Sequence, residues 1–359
     1  MVTQTSHRAT IRRTGRHALV GGAIAAALVV LAACGDGART TDTVTSPAQR
    51  TLVAAAQKSA ASSFRFEVRL SAGPEAPVDA ASAGEAVPEP AMVGTSAGGW
   101  VHTSMDVGAG MEPVADAIGE DGSPMPPPGD VVFETITDGQ VLYMHWPRLA
   151  QVDERPARPD ETPADRAARE ALAAMGEGWG RIEIDDRTPR AVEQIAGTSL
   201  IDPRLFLDLI EGGRNAEDMG TQHIDGIQTR RLRADVTFEE LIALEGSDSR
   251  SEFEESFAEF ADGDEVDALT DEIMAIESAV EVWVDDDEHL RRVVTTIDMR
   301  AVYEVVRDLV DEADPDEIGS ITTTLDMFDH DEPTVTITPP ATWTDVTDAL
   351  THVLGEDGS

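Results

Sequence analysis

Apolar and polar residues alternate strictly along one stretch, with Phe64, Phe66, Val68 and Leu70 on one side and Arg65, Glu67 and Arg69 on the other. Period two is the signature of a strand with one buried and one wet face. Just before it, Ser46-Pro47 predicts a helix start, a hydroxyl cap with proline at the first helical position, and an alanine-rich helix to about Ala61. Trp100 to Val107 reads as a second strand. Val131 to Thr137 and Gln140 to Trp146 read as a hairpin across Asp138-Gly139, a pair suited to a two-residue type I′ turn. Thr162-Pro163 opens a helix to about Met175, and a strand covers Gly180 to Asp185. Asp202-Pro203 caps a helix with Leu205, Phe206, Leu209 and Ile210 at helical spacing, closed by Gly212-Gly213. A hairpin like the first follows: Gly220 to Ile224, Asp225-Gly226, Ile227 to Val236.

The rest of the chain continues in this manner. Thr237 to about Ser278 reads as two or three acidic helices broken near Gly246 and Gly263. Strands at Val280 to Asp285 and Leu290 to Met299 flank Asp286-Asp287-Glu288. Val302, Val305, Val306, Leu309 and Val310 mark one face of a short helix. Strands at Ile321 to Phe328 and Pro333 to Thr338 lead to Pro339-Pro340, and a last helix carries Val346, Leu350, Val353 and Leu354. About nine strands, mostly in consecutive hairpins, predict an α+β fold: a large antiparallel sheet with helices on one face. Two Pro-, Gly- and Ala-rich stretches, Ser71 to Gly99 and Gly108 to Gly129, read as long loops. No glycine-rich strand-to-helix turn of a nucleotide-binding domain is visible.

The N-terminus changes the picture from fold to location. A basic stretch containing Arg8, Arg12, Arg13 and Arg16 precedes an apolar run from Ala18 to Leu31, then Ala32-Ala33-Cys34-Gly35. This is the charged, apolar and small-residue order of a signal peptide. The run is shorter than the ~20 residues of a spanning helix. The residues around Arg12-Arg13 fit a twin-arginine signal poorly, which favours general secretion. Leu31-Ala32-Ala33-Cys34 resembles the lipobox of bacterial lipoproteins, with cleavage between Ala33 and Cys34 and a diacylglycerol on the thiol. Cys34 is the only cysteine and has no disulfide partner. Residues 1–33 therefore read as a lipoprotein signal peptide, 34–45 as a flexible tether and 46–359 as one domain. The membrane is a partner through the lipid, and the extracytoplasmic face of the cell membrane is the expected location.

Charge narrows the partners. The formal net charge is −42, and roughly −46 without the four presequence arginines. Such a chain repels nucleic acid and anionic headgroups. Hydrophobic residues make up 41% of the chain, enough for a core.

Candidate chemistry is sparse. Gly94-Thr95-Ser96-Ala97-Gly98 matches G-x-S-x-G literally, but a nucleophile elbow needs a strand before it and a helix after it. Here a Pro-rich stretch precedes and a strand follows. The clusters Asp285-Asp286-Asp287-Glu288-His289 and Asp329-His330-Asp331-Glu332 lack the spacing of a calcium loop, and the eight histidines are scattered. Both clusters read as solvated turns, and His145 and His223 as surface or packing residues. The chain reads as no enzyme, with no metal or cofactor.

Several hairpins carry a family resemblance. Gly220 to Arg230 (GTQHIDGIQTR), Val282-Trp283-Val284-Asp285 with Leu290-Arg291-Arg292, Thr322-Thr323-Thr324-Leu325 through Phe328 to Pro339, and Asp138-Gly139-Gln140-Val141-Leu142-Tyr143 resemble hairpin and strand motifs of the LppX/LprG-like lipoproteins of actinobacteria. The two long loops and the acidic helical insertion depart from that pattern. The resemblance implies a half-open antiparallel β-barrel with helices over its concave face, as also in the LolA/LolB carriers. It implies an apolar cavity that holds acyl chains of a lipid or lipoglycan in transit across the envelope. Phe64, Phe66, Val68, Leu142, Met144, Trp146, Val282 and Val284 are the candidate cavity residues, each of which could equally be core. The competing reading is a non-catalytic envelope sensor or scaffold that binds a protein partner.

Overall fold

A computed structural model describes residues 46–73, 89–106, 132–147, 162–184, 203–242, 263–307 and 319–355, with Arg250 and Glu254. The signal peptide, Ala33, Cys34 and the tether lie outside the described residues, as do the expected loop at 108–129 and residues 74–88 of the other.

Helix α1 (Pro47–Ala61) starts as its sequence dictates: the Ser46 side chain accepts the Gln49 N–H at 3.0 Å, ahead of Pro47. Strands β1 (Phe64–Gly73), β2 (Met92–Ala97), β3 (Trp100–Asp106), β4 (Val132–Thr137) and β5 (Val141–His145) follow. Next come α2 (Pro163–Glu177), β6 (Gly180–Glu183), α3 (Pro203–Gly212), β7 (Arg214–Ile224), β8 (Ile227–Thr237), α4 (Phe238–Ile242) and α5 (Gly263–Met274). The chain continues through β9 (Glu277–Asp285), β10 (Leu290–Asp298), α6 (Met299–Val306), β11 (Ser320–Phe328), β12 (Thr344–Asp345) and α7 (Thr347–Gly355).

The described strands form one sheet in the order β12-β6-β5-β4-β3-β2-β1-β11-β10-β9-β8-β7. Among the described residues its edges at β12 and β7 are unpaired, so this is an α+β protein built on a twelve-stranded sheet that is not closed. Every pairing is antiparallel except that of β12 with β6, where Thr344 opposes Gly180 in parallel.

The register carries the buried face across the sheet. Val68, Leu325, Val293, Val282 and Leu232 lie side by side on five neighbouring strands, β1, β11, β10, β9 and β8. Helices α1, α3, α5 and α6 bury their apolar residues against this half, including Leu52, Phe206, Ile273 and Val302. At the other end α2 and α7 cover Leu142, Met144 and Ile182 with Met175 and Leu350. The opposite face carries ion pairs instead: Asp326 accepts from Arg69 at 2.6 Å and from Arg292 at 2.5 Å, and Glu281 accepts from Arg231 at 2.6 Å. Trp283 also points that way, fully buried with Ile224 and Val294, and its indole N–H donates to Gln222 Oε1 at 2.9 Å.

Three expectations need correction. Residues 92–97, expected in a loop, form β2. Its hydrophobic alternation is weak because Gly94 stands where a side chain would face inward; an added Cβ would lie 2.3 Å from Phe66 Cζ. The hairpin at Asp138-Gly139 is not a two-residue type I′ turn. Only Gly139 has positive φ (89°), Thr137 opposes Leu142, and Asp138 Oδ1 accepts the N–H groups of Gln140 and Val141. That side-chain turn lengthens the loop. The Asp225-Gly226 hairpin does have positive φ at both residues, 50° and 81°. Finally, Pro333 to Thr338 forms no strand; the chain turns there, with the Val335 N–H donating to the Glu332 carbonyl at 2.9 Å.

Candidate functional site

All eight candidate cavity residues lie on the helix-covered face, but in two separate groups. Phe64, Phe66, Val68, Val282 and Val284 belong to the large cluster under α1, α3, α5 and α6. Leu142 and Met144 belong to the smaller cluster under α2 and α7, against which Trp146 packs half-buried. Alternation along β1, β5 and β9 places them, because each strand sends every second residue inward.

Between the clusters the same face is made differently. Thr103 and Thr135 are buried there and their hydroxyls pair at 2.7 Å, with Thr137 beside them. Next to this polar strip runs a rung of large residues that sequence reasoning did not single out. Met105 on β3 leans on the larger cluster and opposes Phe133 on β4. The Phe133 ring lies 5.8 Å from that of Trp146, which leans on the smaller cluster. None of the three is fully buried. The Trp146 indole N–H is shielded from water and finds no hydrogen-bond acceptor. An orphaned donor of this kind costs about 1–3 kcal/mol. The signal for the rung was available in the period-two spacing of Phe133 with Thr135 and of Met105 with Thr103.

Ser96 is not a nucleophile at an elbow. It sits inside β2, the chain turns at Gly98-Gly99 into β3, and no helix follows. Its nearest histidine in sequence, His102, pairs with Thr95, so the two side chains leave opposite faces of the sheet. His102 is held below its ordinary pKa by burial, partly offset by the Glu134 carboxylate.

The acidic turns are not simply solvated. Asp285 and His289 are only 7% and 8% exposed, and the two turns meet: the rings of His289 and His330 stack at 4.5 Å and 18°. Asp285 accepts from Arg291 Nε at 2.6 Å and from the His289 N–H at 2.9 Å. Burial acts to raise its pKa, and these hydrogen bonds outweigh it and hold the carboxyl below its ordinary value. Among the described residues no group of three or more His, Cys, Asp or Glu is arranged to hold a metal ion. His145 Nδ1 bonds the Gly178 carbonyl at 2.7 Å, a packing role, and His223 is exposed. Among the described residues no helix is long and apolar enough to cross a membrane.

An open sheet with all its described helices on one face, and a half-buried apolar rung on that face, defines the class of fold. Among solved structures the chain is similar to LprF from Mycobacterium bovis, at 12% identity over 82% of this chain and 99% of that one, with a TM-score of 0.38. It is also similar to the Mycobacterium tuberculosis lipoprotein LppX, at 13% identity over 81% and 100%, with a TM-score of 0.33. A DUF1329 family protein from Desulfovibrio piger matches at 10% identity over 82% and 96%, with a TM-score of 0.16. No family model matches the chain, and no curated protein matches it.

Proposed function

We propose that this chain is a non-catalytic lipoprotein, anchored through Cys34 to the extracytoplasmic face of the cell membrane, that binds or transfers acyl chains of a lipid or lipoglycan. The observation that carries the reading is the Met105–Phe133–Trp146 rung, half-buried between two packed clusters on one sheet face. An acyl chain laid along it gains ~0.8 kcal/mol per buried CH₂. The resemblance of the hairpin motifs to LppX/LprG-like lipoproteins points the same way.

A second reading, an envelope sensor or scaffold that binds a protein partner, draws on the opposite face. There Val93 and Val132 are 41% and 36% exposed on the outer side of β2 and β4.

The test is mass spectrometry of lipids extracted from purified protein in which Cys34→Ser removes the covalent acyl group. We expect co-purified lipid, and at least a tenfold loss of it in Phe133→Lys, because a charge in the rung opposes an acyl chain. Val93→Lys on the other face should retain it. Protein that carries no lipid and takes none up when offered sinks the carrier reading in favour of the sensor.

A further inference from the structure

The C-terminal end of α1 is fastened to the sheet at one place. There the Ser59 hydroxyl accepts the Leu290 N–H at 3.0 Å. The Asp331 N–H donates to the Ser63 carbonyl at 2.8 Å, and the Asp331 carboxylate accepts from the Ser63 N–H and the Ser62 hydroxyl. Lys58 Nζ donates to the Asp287 carbonyl. At the centre of these bonds lie the stacked rings of His289 and His330, and His330 also lies against Phe64 of the core, at 5.6 Å between ring centres.

The His330 ring is built for the neutral state. His330 Nε2 bonds the Leu290 carbonyl at 2.8 Å, which fixes the proton on that nitrogen. The other three ring nitrogens of the pair are buried with no hydrogen-bond partner. We propose that the stacked His289–His330 pair is a proton-sensitive latch that fastens the end of α1 to the sheet and releases it on acidification. A proton on His330 Nδ1 would create a buried N–H without an acceptor. A charge on both rings would set two cations 4.5 Å apart.

Charged groups from four elements surround the pair. From the β9–β10 turn come Asp285, Asp286, Asp287, Glu288 and Arg291. From the turn after β11 come Asp329, Asp331 and Glu332; α1 gives Lys58, and β1 gives Arg65, paired with Asp329. Asp331 Oδ2 lies 3.5 Å from His289 Nε2 and Asp285 Oδ1 lies 4.0 Å from His289 Nδ1, so His289 has carboxylates at hand. At His330 burial, then the neighbouring His289, then Arg291 push the pKa down to about 4, outweighing the Leu290 carbonyl bond and the Asp285 carboxylate, which raise it. A site that takes its proton near 6.5 when open and near 4 when latched favours opening as the pH falls between those values. The latch does not depend on what the apolar face carries.

Hydrogen exchange read by mass spectrometry on the intact protein, corrected for the intrinsic pH dependence of exchange, tests this. Opening at the end of α1 and at the β9–β10 turn should rise about 30-fold between pH 7.5 and pH 5, with α2 unchanged. The double variant His289→Phe/His330→Phe keeps stacked rings that cannot titrate, and its opening should stay within about threefold over that range. If that pair does not fold, His330→Gln, whose amide can still donate to the Leu290 carbonyl, is read in the same way. A wild-type protein that does not open, a non-titrating variant that opens as much, or a rise shared by α2 each overturns the latch.

Discussion

Gly94→Ala should lower the unfolding free energy by about 3 kcal/mol, a large effect for a single methyl group on a strand. An added Cβ would lie 2.3 Å from Phe66 Cζ and 2.5 Å from the His102 carbonyl oxygen. One of these is the end of a core ring with no room to retreat, since Phe66 is fully buried. The other is backbone, held by the β2–β3 ladder where Gly94 pairs with Thr103. The glycine is there because the Phe66 ring lies across it. Shortening the ring should therefore recover part of the loss: Phe66→Leu costs stability alone but less in the Gly94→Ala background. Urea unfolding of the two singles and the double closes the cycle. Additive losses would mean that the Phe66 ring is not what fills the space beside Gly94.

Asp285→Ala should cost about 3–5 kcal/mol at neutral pH. The side chain is buried at the end of β9 and bonds Arg291 and the N–H groups of Asp287 and His289. Truncation leaves a mostly buried guanidinium and two turn N–H groups without an acceptor. Because the folded carboxyl is held below its ordinary value, its contribution is complete above about pH 4, the unfolded value, and fades as pH falls further. The gap between wild type and variant in chemical denaturation should narrow below pH 4. A gap that stays constant down to pH 3 would show that the ionised form is not what stabilises the turn.

Local pattern revealed most of the elements and little of their meeting. Phe64, Phe66 and Val68 announce β1 by alternation, and Ser46-Pro47 and Thr162-Pro163 announce α1 and α2 by capping chemistry. The candidate residues read from alternation do share a face. Strand β2 was hidden because its inward positions are Met92, Gly94 and Ser96, whose small residues yield space to a neighbour on another strand. The Asp138 turn was misjudged because the dipeptide allows two solutions, and the Asp138 side chain selects the longer one. The contact of the two acidic turns was invisible for a different reason. His289 and His330 lie 41 positions apart, and only the pairing of β10 with β11 brings them together. Burial inverted the reading of those carboxylates, from solvated charge to fixed acceptors. The Met105–Phe133–Trp146 rung runs from β3 across β4 to the residue after β5, so no single stretch of sequence displays it.

The far edge of the sheet has a consequence for how such molecules share a surface. Strand β7 offers an outer row of backbone groups that a neighbouring chain could extend. Its pairing with β8 shifts register twice, between Arg214 and Glu217 and between Asp218 and Gly220, and Asn215 and Gly220 take positive φ. Each irregularity twists the strand and breaks the even spacing of its free N–H and C=O groups. Copies crowded side by side would therefore find no straight rail to continue, and should remain separate even at densities where a regular edge would polymerise.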